Sequence, residues 1–188
     1  MSLLRALLEP ASVAIVGLSA DPNKHGRRVY ENLRRLGYRG RVVGVHPQAQ
    51  VPGVEIYRSL ADLPAPPEVV VCAAPAAAAL EVAIAAGQLE AGGLVVFAGG
   101  FAEVGAEGRA LQEQLMANCR AGGVLLLGPN SGGVIRPGTG LALSFLTCLD
   151  RPAEQIRSGP VGLVTQSGGT GSYLHNLAAE RGSGLAIS

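Results

Sequence analysis

Two short stretches carry the residue types and spacing that suit a bound phosphate. The first is "VGLSADPNKHG", Val16 to Gly26, and the second is "QSGGTG", Gln166 to Gly171. Each follows an apolar run and opens onto a segment that reads as a helix. That layout brings backbone N–H groups and the positive end of a helix to one point, where an anion fits. The first stretch adds Ser19, Lys24 and His25 within the loop, and Arg27 and Arg28 just beyond it. Lys24 stands out because the chain has 14 Arg but one Lys. Such a long, polar loop suits a ligand with several phosphates. The competing reading makes the two arginines, and Lys24 with them, a solvated helix face.

The residue types also argue against other chemistries. Gly17 and Gly26 lie too far apart for the compact G-x-G-x-x-G turn, and the Gly-Lys-Ser/Thr ending of a P-loop is missing. A dinucleotide fold places Asp or Glu after its second strand to hold a ribose. Here that position reads "VVGVHPQAQ", with no carboxylate, which counts against NAD. His25 and His46 read as loop hydrogen-bonders, since no Cys/His spacing supports a metal site.

The elements that must position these loops follow a repeating pattern. Short runs of Val, Ile and Leu at Val13–Gly17, Arg41–Val45, Glu68–Ala73, Gly93–Phe97 and Val124–Leu127 are apolar on both faces. Strands of a parallel sheet covered by helices on both sides look like this. Helices are expected at Gly26–Leu36, Ala76–Ala86 and Glu103–Arg120, with a short capped turn at Ser59–Pro64. The β-α-β order predicts an α/β, Rossmann-like, doubly wound parallel sheet. After Leu127 a Gly- and Pro-rich stretch reads as a surface loop or hairpin. Residues 150–160 read as a linker, followed by a strand at Val161–Thr165, a helix near Ser172–Arg181 and an apolar run at Leu185–Ile187. The expected division is a first domain at 1–149, a linker at 150–160, and the start of a second unit at 161–188.

Composition sets the remaining bounds. Hydrophobic residues make up 48% of the 188 and aromatics only 4%, so the core must be aliphatic. A net charge of +1 without basic runs gives no footing for nucleic acid. Three cysteines without a pairing framework fit a reducing compartment. No stretch reads as a signal peptide or a membrane span, so the expectation is cytoplasmic. The last two apolar runs would expose strand edges. They predict packing on the first domain or, preferred here, pairing of two chains as a homodimer.

Several motifs in order then resemble a known family. "LLEPASVAIVGLSADPNKHG", "GVHPQA", "CAAPAAA", "FAGGFAEVGAEG", "GPNSGGVIRP" and "GPVGLVTQSGGTGSYL" follow the sequence seen in NDP-forming acyl-CoA synthetases. These include ADP-forming acetate–CoA ligases and, more distantly, the succinyl-CoA synthetase alpha subunit. The resemblance implies a coenzyme A-binding domain followed by a flavodoxin-like ligase domain. It implies that Gly17, Ser19, Ala20, Lys24 and His25 hold coenzyme A phosphates, with His46, Pro47 and Gln48 near the nucleotide end. Ala74, Pro75 and Ala76 would line the cofactor cleft, and Ala98, Gly99, Gly100 and Phe101 would let the pantetheine chain approach. Asn130, Ser167, Gly168 and Gly169 would face acyl and phosphoryl groups. The ligand would be coenzyme A or acyl-CoA, and the other partners would be further ligase and ATP-grasp domains or subunits. Two positions depart from the pattern: "HPQ" stands where relatives have "NPK", and Ser131 stands where they have Cys. His175 does not match the phosphate-carrying histidine, so no catalytic residue is assigned. A non-catalytic coenzyme A or acyl-CoA sensor, as found fused to protein acetyltransferases, and an NAD-binding regulator remain the alternatives.

Overall fold

The computed structural model describes residues 3–188. Six strands form one parallel sheet: β1 (Ser12–Val16), β2 (Arg41–Val45), β3 (Ile56–Tyr57), β4 (Val69–Cys72), β5 (Gly93–Val96) and β6 (Leu125–Leu127). Their spatial order is β3-β2-β1-β4-β5-β6, the doubly wound order expected. Alternation along the strands sorts the core into two faces. Ala14, Val70, Cys72, Leu94 and Val96 face one layer, with α3 (Ala76–Gln88) and α4 (Ala106–Ala121). Val13, Ile15, Val69, Val71 and Val95 face the other, with α1 (Leu3–Leu8) and α2 (His25–Arg35). All four residues of β4 are fully buried. Each valine there contributes about 1.5–3 kcal/mol by leaving water.

The Gly- and Pro-rich stretch after β6 is a hairpin of β7 (Gly133–Arg136) and β8 (Leu141–Ser144), paired antiparallel. It packs on α2 through a buried polar link. The Asn32 side-chain amide donates to the Ser144 carbonyl at 3.0 Å, and the Ser144 hydroxyl donates to the Gly132 carbonyl at 2.7 Å. All three cysteines are buried and free, and burial pushes the thiol pKa of each upward.

The last segment forms β9 (Val161–Gly162), α5 (Gly168–Glu180) and β10 (Leu185–Ile187), with β9 and β10 parallel. It packs on the first unit. Ile135 and Ser188 exchange backbone hydrogen bonds at 2.6 and 2.9 Å. Residues 150–160 do not run free. Arg28 pairs with Asp150, while Arg35 donates to the carbonyls of Leu149 and Arg151. Arg151 reaches across to Asn176 and Glu180 on α5. One edge of the last unit is thus covered within the chain, while Val161 and Val164 stay 54% and 97% exposed. Among the described residues no helix is long and apolar enough to cross a membrane.

Candidate functional site

The strand order reverses direction between β1 and β4, and a crevice of about 620 Å³ opens there at the carboxyl ends of the strands. This is where open α/β sheets bind ligands. Gly17 follows β1 with φ +86°, a left-handed conformation that favours glycine. A Cβ at Gly17 would lie 3.0 Å from the Ala73 carbonyl, so the two chain ends can meet only without a side chain. Gly26 matches it from α2, where a Cβ would lie 2.7 Å from the Gly17 carbonyl oxygen. The two glycines of the first motif therefore close the loop at both ends, although they are nine positions apart rather than in a compact fingerprint.

The loop between them is ordered by its own polar groups. The Ser19 hydroxyl accepts from the Asp21 amide at 3.1 Å, and the Asp21 carboxylate accepts from the Asn23 amide at 2.9 Å. Lys24 sits at the start of α2 in an extended conformation and lines the crevice. Across the crevice lies Arg58, which sequence reasoning missed. It follows β3, a strand of only two residues. Among the described residues neither Lys24 nor Arg58 has an ion-pair partner. Glu81 on α3 adds one carboxylate to the same wall.

His46 directly follows β2, at the position where an NAD-binding fold holds its acid. Its Nδ1 accepts from the amides of Gln48 and Ala49 at 3.1 and 2.9 Å. A nitrogen that accepts twice carries no proton, so Nε2 bears the hydrogen and is a donor. Pro47, Ala74 and Pro75 complete the expected lining.

Other expected residues lie off the crevice. Ala20 and Gln48 are exposed beside it. His25 stacks on Phe145 with ring centroids 3.8 Å apart and meets the edge of Phe97. Burial, then the charges of Arg28 and Lys24, lower its pKa. Arg27 pairs with Glu31, and Arg28 with Asp150 and the Phe145 carbonyl, so both belong to the helix face. Ala76 begins α3 and packs on the core.

Ala98, Gly99, Gly100 and Phe101 form the turn after β5, outside the crevice lining. The Phe101 side chain is fully buried in the core, leaving only its backbone to the turn. The Glu103 carboxylate, which sequence reasoning placed at a helix start, accepts from the Gly100 amide at 2.6 Å. Backbone donors, its own amide first and then that of Gly100, hold its pKa below the usual carboxylate range. Asn130 joins this turn from the other side. It has φ +53°, and its amide donates to the Ala98 carbonyl at 2.9 Å.

A second hollow of about 600 Å³ lies between the Asn130 turn and the start of α5. Ser167 caps α5: its hydroxyl accepts from the Thr170 amide at 3.2 Å and its carbonyl from the Gly171 amide at 2.8 Å. The amides of Gly168 and Gly169 then head the helix, where an anion is stabilised. Gly168 and Asn130 line the hollow, whereas Ser167 and Gly169 do not. No group of metal-ligating side chains occurs among the described residues.

A doubly wound sheet with a cation-lined crevice at its switch point defines a nucleotide-binding domain. Residues 11–137 match the family model described as the CoA binding domain, and the chain belongs to that family. It is 32% identical over 176 residues to the alpha subunit of acetate–CoA ligase (ADP-forming) I of Pyrococcus furiosus, covering 91% of this chain and 37% of that one. It is 30% identical to acetate–CoA ligase (ADP-forming) II of Archaeoglobus fulgidus over 88% of this chain and 24% of the relative. Among solved structures it superposes on the apo form of the dinucleotide-forming acetyl-coenzyme A synthetase 1 of Ca. Korarchaeum cryptofilum. The TM-score is 0.89 at 30% identity, over 98% of this chain and 39% of that one. The resemblance read from the motifs is thus borne out, and the chain spans 24–37% of the length of the curated relatives compared.

Proposed function

We propose that this chain supplies the coenzyme A site of an ADP-forming acid–CoA ligase, which converts acid, coenzyme A and ATP to acyl-CoA, ADP and phosphate. The observation that carries the reading is the crevice at the switch point. Lys24 and Arg58 line it without ion-pair partners among the described residues, His46 adds an Nε2–H donor, Glu81 is the one carboxylate in the lining, and no acid follows β2. Two free cations and a donor match a ligand with several phosphates. A ribose diol would instead need the missing carboxylate.

In this reading residues 1–149 are the coenzyme A domain, 150–160 the connection and 161–188 the start of the ligase domain. Gly17, Ser19 and Lys24 hold phosphates, and Arg58 takes the place that Gln48 leaves unfilled. The Gly99–Gly100 turn and Asn130 border the path of the pantetheine arm. The α5 N-terminus and Asn130 hold the phosphoryl end of an acyl phosphate. Holding thiol and acyl phosphate together is the domain's share of the rate enhancement. Nucleotide chemistry and the phosphate-carrying histidine come from ligase and ATP-grasp domains or subunits; the matched Pyrococcus protein is itself named as a subunit.

Calorimetry with coenzyme A, dephospho-coenzyme A and NADH tests the proposal. Coenzyme A should bind most tightly and dephospho-coenzyme A more weakly. Tighter binding of NADH would overturn the reading.

A further inference from the structure

One residue of the switch-point crevice runs against its charge. Lys24 and Arg58 suit phosphates, yet Glu81 lines the same space and has no hydrogen-bond or ion-pair partner among the described residues. A carboxylate set beside phosphates repels them, so Glu81 suits another part of the ligand.

Its position on α3 shows which part. Ala78, Glu81, Val82 and Ala85 all line the crevice, at the i, i+3, i+4, i+7 spacing of one helix face. The start of α3 lies at the phosphate end, since Pro75 precedes it and the Ala73 and Ala74 backbone abuts Gly17. Glu81 stands beyond Ala76 by about 7.5 Å along the helix axis. There the wall is apolar. Leu60 and Val82 are buried in one core cluster with Val45, and Ala85 packs against it. The other polar side chains at this end are donors or already engaged. Arg58 can only donate, His46 offers Nε2–H, and the Ser59 hydroxyl donates to the Asp62 carboxylate at 2.8 Å. Glu81 is therefore the open side-chain acceptor of this end, set within an apolar face. A flat ring with an amino group on its edge meets both features. Its faces leave water against Leu60, Val82 and Ala85, and its N–H reaches a carboxylate.

We propose that Glu81 reads the base of the ligand. Its carboxylate accepts a hydrogen bond from the exocyclic amino group of adenine, so coenzyme A is chosen over a nucleotide whose base lacks that group. Glu81 selects the ligand and takes no part in bond making. This inference rests on the coenzyme A reading for the identity of the ligand.

The test is calorimetry on the full chain with coenzyme A and its 6-deamino analogue, in which purine replaces adenine and hydrogen stands where the amino group was. The wild-type chain should bind coenzyme A about 10-fold or more tightly than the analogue, as a hydrogen bond to a charged group allows. Glu81→Ala should bind the two alike, whereas Glu81→Gln, which keeps an acceptor oxygen, should retain part of the preference. The ratio of the two affinities is the readout, because repulsion between Glu81 and the phosphates acts on both ligands equally. Equal binding by the wild-type chain would overturn the proposal. So would a ratio unchanged in Glu81→Ala, even where both ligands bind more tightly, since Glu81 would then be only a neighbour of the phosphates. Glu81 is exposed and alanine is a strong helix former, so the variant should fold, and the wild-type titration decides in any case. Coenzyme A bound without discrimination sinks this inference and leaves the coenzyme A reading standing. Binding of neither ligand sinks both.

Discussion

Gly26→Ala sets two physical effects against each other. Gly26 is the second residue of α2, where alanine is favoured over glycine by up to about 1 kcal/mol of helix propensity. Against that, its Cβ would lie 2.7, 3.0 and 3.2 Å from the Gly17 oxygen, Gly17 carbonyl carbon and Leu18 Cα, all backbone atoms. Reaching ordinary contact at 3.4 Å requires the helix start to retreat by 0.7 Å, the difference from 2.7 Å. The turn cannot yield instead, because Gly17 already abuts the Ala73 backbone. Overpacking of this kind costs about 1–3 kcal/mol, so the net expectation is a loss of about 1–2 kcal/mol and a weakened crevice. Gly169→Ala is the control. It lies in the first turn of α5, where a Cβ would meet only the Ser167 hydroxyl at 3.9 Å. There the same substitution should gain about 0.4–1 kcal/mol. Urea unfolding measures both through the midpoint at constant slope. A Gly26→Ala chain as stable as wild type would refute the claim that α2 is wedged against the phosphate turn.

Lys24→Ala and Arg58→Ala should each weaken coenzyme A binding by about 1–3 kcal/mol and flatten its salt dependence, read by calorimetry at several ionic strengths. Arg27→Ala should change it little, since that guanidinium already pairs with Glu31. Ser167→Ala should cost about 1 kcal/mol of stability by removing the cap of α5, measured by thermal unfolding. The folded-state pKa of His25 and of His175 lies below the ordinary 6.5. As pH falls through 6.5 toward those lowered values, the unfolded chain takes up protons that the folded chain refuses, so stability falls. His175→Leu should make that decline shallower in urea titrations between pH 7 and 5.

The sheet could be read from the sequence because its strands are long enough to show a pattern. Runs such as Val69–Ala73 are apolar throughout, as a strand covered on both faces requires. The ends of elements were less legible. The run Val161–Thr165 looks like a strand of five, yet only Val161–Gly162 pairs, because Thr165 already turns the chain by accepting the Ser167 amide at 3.1 Å. Likewise α5 starts at Gly168 rather than near Ser172, since the Ser167 cap outweighs the poor helix propensity of the glycines after it. The helix expected from Glu103 starts at Ala106, because Gly105 at φ +112° separates it from a short turn at Ala102–Val104. The segment expected as a linker at 150–160 is held in place at its start. Arg28, Arg35 and Arg151 tie that segment down, and nothing in the residue types around Asp150 announces it.

The site divides along the same line. Gly17, Lys24 and His46 were legible because each lies within a turn that follows a visible strand. Arg58 was not, because β3 is two residues long and alternation over two residues carries no period. It reaches the crevice only because Gly44 and Val45 pair with Ile56 and Tyr57 in parallel register. That register puts the next residue at the carboxyl edge of the sheet, beside His46. Glu81 shows the same gap in another form. Its spacing from Ala78 and Ala85 marks a helix face, but only the fold decides whether that face meets solvent, core or a crevice. Backbone turns announce themselves through glycine and cap residues, which are local. The side chains that select a ligand from across a crevice depend on register and packing, which are not.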